Sequence, residues 1–192
     1  MSNVISVFSI SYDNGKDFGS LTAVRFTPDD MWSFDLSYDS FTTDVPLRAR
    51  VFGIESDKLE ADIVYRESEW RSYGLFLTDM NFSDGNTRLG AMIDYQQGLL
   101  VKRDWKVRMS LDLGYSHNSR RNASYFNPSH DVTLSITPMV EQTIRRMYGR
   151  SFVHRLFFGM GVYDEAGFKT KPIASLRYQQ EYELSDVHHR DH

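Results

Sequence analysis

The chain carries carboxylates and aromatic side chains at the spacing of one face of a β-sheet. Side chains of a strand alternate between two faces, so residues an even number apart in one strand share a face. By this rule nine side chains fall on a common polar face: Asp35, Asp39, Glu60, Asp62, Asp94, Asp112, Glu141, Phe157 and Tyr163. Carboxylates would attract a cationic or amino-bearing solute, and the aromatic rings could stack on sugars. We predict these nine residues as candidate substrate contacts.

A second interpretation of the same face stays open, because basic residues share it. They are Arg25, Arg66, Arg88, Lys106 and Arg108. Opposite charges on neighbouring strands form ion pairs, and a ladder of such pairs would only hold the wall together. The aromatic residues, which include Phe76, could likewise fill space inside a crowded barrel.

The sequence offers little support for a catalytic site or a metal site. Ser116 and His117 form an adjacent pair near a strand end, but a barrel hydrolase also needs an acid, and the sequence fixes none. His188, His189 and His192 lie in a tail where nothing presets ligand geometry. We therefore predict no enzyme, no metal and no cofactor.

Composition narrows the class further. The 26 acidic residues exceed the 22 basic ones, for a net charge of −4. Nucleic-acid-binding surfaces are normally basic, so we expect no nucleic-acid partner. The chain has no Cys, which excludes disulfides and thiol chemistry.

The elements that would position these residues are strands throughout. In Trp105–Tyr115, apolar residues alternate with polar ones, and Val132–Thr137 repeats the pattern after a polar loop with a turn at Pro128. Similar segments recur along the chain. The sequence predicts an all-β fold, an up-and-down antiparallel meander of about ten strands with no helix, over residues 1–187. Residues 188–192 would form an irregular tail.

The alternation fits two barrels of opposite polarity. In a soluble, lipocalin-like binding barrel the apolar face is the core; in a membrane barrel it meets lipid and the polar face lines the lumen. Aromatic residues recur at strand ends on the apolar face, as in interfacial girdles: Trp32, Tyr38, Tyr65, Tyr95, Tyr115 and Tyr182. The mean hydropathy of −0.47 is compatible with a membrane barrel, because only alternate residues meet lipid. We favour a porin-like transmembrane barrel in the bacterial outer membrane.

Three segments suggest a family. Residues 43–50 (TDVPLRAR), 82–86 (FSDGN) and 118–131 (NSRRNASYFNPSHD) occur in that order. They resemble the C-terminal barrel of the outer-membrane porins that export poly-β-1,6-N-acetyl-D-glucosamine, a biofilm polysaccharide. The resemblance implies a barrel of about sixteen strands, a preceding periplasmic tetratricopeptide-repeat region, and export of the partly deacetylated polymer through an acidic lumen. Its partners would be that polysaccharide and outer-membrane lipid.

The chain departs from this family pattern, since the repeat region and the first strands are absent and the sequence stops at His192. It is therefore interpreted as an interior fragment. Whether ten strands close into a ring or stay an open sheet is left undecided. A cellulose-type exporter is the alternative, which a neutral lumen would favour. We expect the loop between His117 and Asp131 on the extracellular side, because periplasmic turns of such barrels are short.

Overall fold

The computed structural model describes residues 3–13, 17–120, 123–145 and 150–184, which form one ten-stranded sheet. Its strands are β1 (Asn3–Asp13), β2 (Asp17–Thr27), β3 (Trp32–Asp39), β4 (Ser56–Ser68), β5 (Arg71–Phe82), β6 (Thr87–Lys102), β7 (Trp105–Asn118), β8 (His130–Arg145), β9 (Arg150–Glu165) and β10 (Lys171–Leu184). One short helix, α1, spans Leu47–Val51.

Each strand pairs antiparallel with its neighbours in the chain, so the order in the sheet is the order in the sequence. This confirms the predicted all-β antiparallel meander. Within the described residues β1 and β10 are not paired with each other, and they form the two edges of an open sheet. Unpaired edges expose backbone hydrogen-bonding groups, which lipid cannot satisfy.

The register separates an apolar face from a polar one. Near one end of the sheet, four aromatic residues pair across β3 to β6, namely Trp32, Tyr65, Tyr73 and Tyr95. Their successive ring centroids lie 4.7, 6.2 and 5.3 Å apart. Three of the predicted strand-end aromatics thus belong to one continuous row, which Tyr73 completes.

Two bulges lie near that same end, between Arg66 and Ser68 and between Gly98 and Leu100. The sequence suggests a charged turn over residues 66–69, but β4 continues through the first bulge to Ser68. The turn itself is only Glu69-Trp70. A bulge lets a strand absorb an extra residue without ending, which strict alternation does not reveal.

The two ends of the sheet differ in their connections. At one end, called the long-loop end here, residues 40–55, 83–86, 119–129 and 166–170 join the strands. At the other, the short-turn end, the described connections are residues 28–31, 69–70 and 103–104. The buried apolar core lies at the long-loop end and consists of Val45, Ala49, Met80, Phe82 and Tyr125.

Helix α1 corrects the prediction that the chain has no helix. It follows Pro46, whose fixed φ favours the start of a helix, and Ala49 at its centre is fully buried. Five residues are too few to show a helical period, and an isolated helix of this length is unstable. Packing of Ala49 into the loop core therefore stabilises it. No helix in the described part of the chain is long and apolar enough to cross a membrane.

Candidate functional site

All nine predicted site residues lie on one face of the sheet. One row of directly paired residues crosses seven strands and contains Asp35, Asp62, Phe76, Met92, Gly114, Thr133 and Tyr163. The other six site residues stand at even offsets from this row within their strands. Their common face is confirmed, and their role as substrate contacts stays a prediction.

The polar face divides into two regions along the strands. The four rows nearest the long-loop end are called the acidic rows. Their described carboxylates are Asp35, Asp39, Glu60, Asp62, Asp94, Asp112, Asp131 and Glu165, and their basic residues are Arg25, Lys58, Arg88 and Lys171. Carboxylates therefore outnumber basic residues by eight to four.

Every basic residue of the acidic rows is paired. Arg25 contacts Asp35 at 2.5 Å, and Arg88 contacts Asp131 at 3.2 Å. Lys171 contacts Glu165 at 2.8 Å. Lys58 lies 2.5 Å from both Glu60 and Asp44, and Asp44 belongs to the loop that carries α1.

Four carboxylates of these rows have no basic partner among the described residues: Asp39, Asp62, Asp94 and Asp112. Asp94 lies directly opposite Asp112 and is only 8% exposed. Gln96 donates to Asp94 at 2.9 Å, and Ser135 donates to Asp112 at 3.0 Å. Like charges opposite each other destabilise a sheet. Neutral donors therefore hold this pair, and no basic residue in the described part of the chain contacts it.

A cavity of about 490 Å³ opens on the acidic rows. Asp62 and Phe76, which are directly paired, line it, and Asp44 reaches it from the loop above. The Phe76 ring lies over Gly74, where any Cβ would collide with the ring. A carboxylate and a flat aromatic ring therefore stand side by side, an arrangement that suits an amino-bearing sugar.

The rows toward the short-turn end are called the basic rows. Their described basic residues are Arg66, Lys106, Arg108, Arg155 and Arg177, and their carboxylates are Glu141 and Glu181. Over both regions the described polar face has ten carboxylates and nine basic residues. The modest acidic excess that the sequence suggests almost disappears, and the charges are separated along the strands instead.

Two predicted site residues lie in the basic rows, away from the other seven. Glu141 is buried and lies 2.7 Å from Arg155 and 3.2 Å from Lys106. The Arg177 guanidinium lies 3.9 Å from the centroid of the Phe157 ring. That contact covers one face of the ring that was predicted to stack on sugars.

Seven further charged residues lie on the polar face without having been predicted there, namely Lys58, Asp131, Arg155, Glu165, Lys171, Arg177 and Glu181. The period-two rule identifies all seven, because each stands an even number of residues from a predicted polar-face residue of its strand or, in β10, an odd number from the predicted apolar-face residue Tyr182. Arg155 was obscured because its strand, β9, carries aromatic residues on both faces.

Ser116 and His117 point to opposite faces of β7. Ser116 donates to Asp131 at 2.5 Å and accepts from Arg88 at 2.9 Å. His117 is paired with His130 on the other face. The described residues contain no group of three potential metal ligands, and the tail histidines lie outside them.

The long loops meet in a cluster centred on Asn86, which is 1% exposed. Asn86 donates to Asn118 and Asn127, both at 3.1 Å, and accepts from the Arg120 backbone N–H at 3.0 Å. Gly85 beside it has φ +84°, a conformation that favours glycine. The three sequence segments that carry the family resemblance thus contact one another.

Tyr125 links this polar centre to the loop core. Its ring centroid lies 5.8 Å from that of Phe82, and its hydroxyl lies 3.5 Å from Asp84. Burial raises the pKa of the Tyr125 phenol above its ordinary value. The hydroxyl therefore stays protonated as a hydrogen-bond donor at neutral pH.

Comparison with known proteins gives consistent matches. The family described as PgaA membrane beta barrel domain matches residues 4–191. The poly-beta-1,6-N-acetyl-D-glucosamine export proteins of Escherichia coli K12 and O157:H7 are each 26% identical over 160 residues, covering 82% of this chain and 20% of theirs. The chain therefore spans about a fifth of the length of these relatives.

A solved structure gives the fold independently. A bacterial polysaccharide outer membrane secretin aligns with a TM-score of 0.85 at 21% identity. The alignment covers 94% of this chain and 62% of that structure. At this identity the likeness concerns the fold, which is that of an outer-membrane β-barrel.

Proposed function

Because the chain belongs to the PgaA membrane β-barrel family, we propose that it forms part of the wall of a pore that exports poly-β-1,6-N-acetyl-D-glucosamine. Family membership confirms the predicted outer-membrane localisation, and it excludes the soluble, lipocalin-like alternative. The export activity and the identity of the polymer are the proposal, since the relatives are much longer than this chain.

The two faces of the sheet differ enough in polarity to suggest which one meets lipid and which one lines the lumen. We propose that the apolar face meets lipid and the polar face lines the lumen, with the long loops outside the cell. The aromatic row from Trp32 to Tyr95 fits an interfacial girdle. The long-loop end would then be the extracellular mouth, because periplasmic turns are short.

The observation that carries the choice of polymer is the set of unpaired carboxylates in the acidic rows. Asp39, Asp62, Asp94 and Asp112 contact neutral donors or none, so no ion pair in the described part of the chain offsets a charge on them. A partly deacetylated polymer carries amines, which these carboxylates attract over several ångströms. A neutral cellulose-type polymer would gain no ionic attraction from them.

The tetratricopeptide-repeat region implied by the resemblance belongs to this proposal as a partner. We propose that it delivers the polymer from the periplasm to the short-turn end of the sheet. The relatives are named as export proteins, and we assign no catalytic step to this chain.

The test is a charge-neutralisation series read as secreted polysaccharide per assembled protein. Single amide changes at Asp39, Asp62, Asp94 or Asp112 should have little effect, because a field is shared among many charges. The combined Asp39→Asn, Asp62→Asn, Asp94→Asn and Asp112→Asn variant should export markedly less polymer while still assembling.

The matched control removes the same charge elsewhere. Asp29, Asp30, Glu69 and Asp104 lie in turns at the short-turn end, outside the acidic rows, and a variant that combines their four amide changes should export normally. Undiminished export from the polar-face variant would leave those carboxylates with a structural role only. Equal losses in both variants would point to net charge instead of the acidic rows.

A further inference from the structure

A second cavity, of about 870 Å³, opens on the basic rows. Four basic side chains line it, namely Lys106, Arg108, Arg155 and Arg177, against the single carboxylate of Glu141. The remaining polar lining consists of amides and hydroxyls from Gln96, Gln179, Ser110, Thr137 and Ser175. The cavity is therefore rich in hydrogen-bond donors and carries a net positive charge.

Two of the four basic residues are already neutralised. Glu141 contacts both Lys106, at 3.2 Å, and Arg155, at 2.7 Å. Arg155 also contacts Glu181 at 2.6 Å. These contacts hold Lys106 and Arg155 at the cavity wall and use up its carboxylate.

The other two, Arg108 and Arg177, contact no carboxylate in the described part of the chain. They stand in one row, in which Arg108 is paired with Met139, Met139 with Phe157, and Phe157 with Arg177. Three strand spacings separate their backbones, which is roughly 14 Å. Each side chain is long enough to cross about half of that gap, so the two guanidinium groups can approach the same ligand.

Arg177 is held in place without losing its donors. Its guanidinium lies over the Phe157 ring at 3.9 Å, an attraction between a cation and a π system. Stacking occupies the faces of the guanidinium and leaves the N–H groups at its edge free. An arginine fixed in this way is prepared for a planar or tetrahedral oxyanion, which accepts two parallel hydrogen bonds.

We propose that the basic rows form an oxyanion-binding site, in which Arg108 and Arg177 take a carboxylate or phosphate group. The neutral amides and hydroxyls of the wall supply further donors. This site goes beyond the proposed export of an amino-bearing polymer, because it takes the opposite charge. It gives the polar face one region for amines and another for anionic groups.

The chemistry fits two sources, a free phosphate ion and an acidic group carried by a glycan. Two probes separate them: inorganic phosphate, and oligogalacturonate, whose sugars each bear a carboxylate. Binding is measured by titration calorimetry on the full protein in detergent micelles. At least one probe should bind, with an affinity that falls as sodium chloride is added, because salt screens the charges.

The variant Arg108→Gln with Arg177→Gln should weaken binding of that probe by about tenfold or more, since hydrogen bonds to charged groups are the strong ones. The variant Arg108→Lys with Arg177→Lys keeps both charges but removes the parallel N–H donors of the guanidinium groups. It should weaken binding severalfold. The control is Arg25→Gln, which removes one positive charge of the same face within the acidic rows. It should bind as the unchanged protein does.

Binding of phosphate alone, of oligogalacturonate alone or of both supports the site and identifies the source of the ligand. Absence of binding by both probes would overturn the proposal. So would equal affinity in the unchanged protein and in the lysine variant, because a general positive field would then explain the binding. Folding of each variant is checked by its β-sheet circular dichroism, and the lysine variant keeps the test decisive if the glutamine variant does not fold.

Discussion

The acidic and basic rows share one face of one sheet and are built by the same alternation, yet they carry opposite charge. In the acidic rows each basic residue is paired, and four carboxylates are left over. In the basic rows the two carboxylates are paired, and Arg66, Arg108 and Arg177 contact no carboxylate among the described residues. Ion pairs hold the wall together in both regions, and each region also presents a surplus of one sign.

The sequence leaves two interpretations of the polar face open, attraction of a solute and a structural ladder of ion pairs. The difference between the two regions is compatible with both. Paired charges form the cross-strand ladder, and unpaired charges remain available to a solute. On the proposed function, the same face serves both purposes, with different residues. Counting charges over the whole face hides this, because ten carboxylates nearly cancel nine basic residues.

The prediction with the largest expected effect tests whether the face opposite the acidic and basic rows meets lipid. Leu36→Arg and Leu111→Arg each place a charge on the apolar face and should cost about 2–4 kcal/mol at mid-membrane depth. Ser37→Arg and Ser110→Arg, one residue away on the polar face, are the matched controls. Outer-membrane assembly is measured by fractionation, and normal assembly of the leucine variants would reverse the assignment of faces.

An intermediate effect concerns the loop cluster around Asn86, which lies above the acidic rows and has no counterpart among the described turns at the short-turn end. Asn86→Ala removes the donor to the buried Asn118 and half-buried Asn127 amide oxygens, which should cost about 1–3 kcal/mol. The loops should then be cut faster by a protease added to the purified protein. Asn81→Ala, on the opposite face of the neighbouring strand, is the control. Equal cleavage of both variants would show that Asn86 does not hold the cluster.

The prediction with the smallest expected effect tests whether the paired carboxylate of Glu141 weakens anion binding by the basic rows. Glu141→Gln removes the carboxylate that neutralises Lys106 and Arg155, so phosphate binding should tighten by about 0.5–2 kcal/mol. Glu60→Gln removes the same charge in the acidic rows and should leave phosphate binding unchanged. Titration calorimetry on both variants decides, and weaker binding in Glu141→Gln would mean that this carboxylate orders the site.

Much of the fold was predictable because alternation is a local property. Trp32 to Asp39 and Trp105 to Tyr115 show it without interruption, and both are strands. The prediction failed where local pattern is short or broken. Helix α1 has only five residues, and the bulge at Arg66 let β4 continue through an expected turn.

The candidate site divides in the same way. The sequence by itself determined which side chains share the polar face, because the period of a strand is fixed by its backbone geometry. Only the tertiary structure decided which rows they occupy, because register depends on the lengths of loops and on bulges far away in the chain. Register placed Glu141 among arginines, paired Asp94 with Asp112 and brought Arg108 into one row with Arg177. It also brought Asn118 and Asn127 to Asn86 and packed Val45 and Ala49 against Phe82 and Tyr125, since buried amides and apolar side chains need partners wherever the fold supplies them.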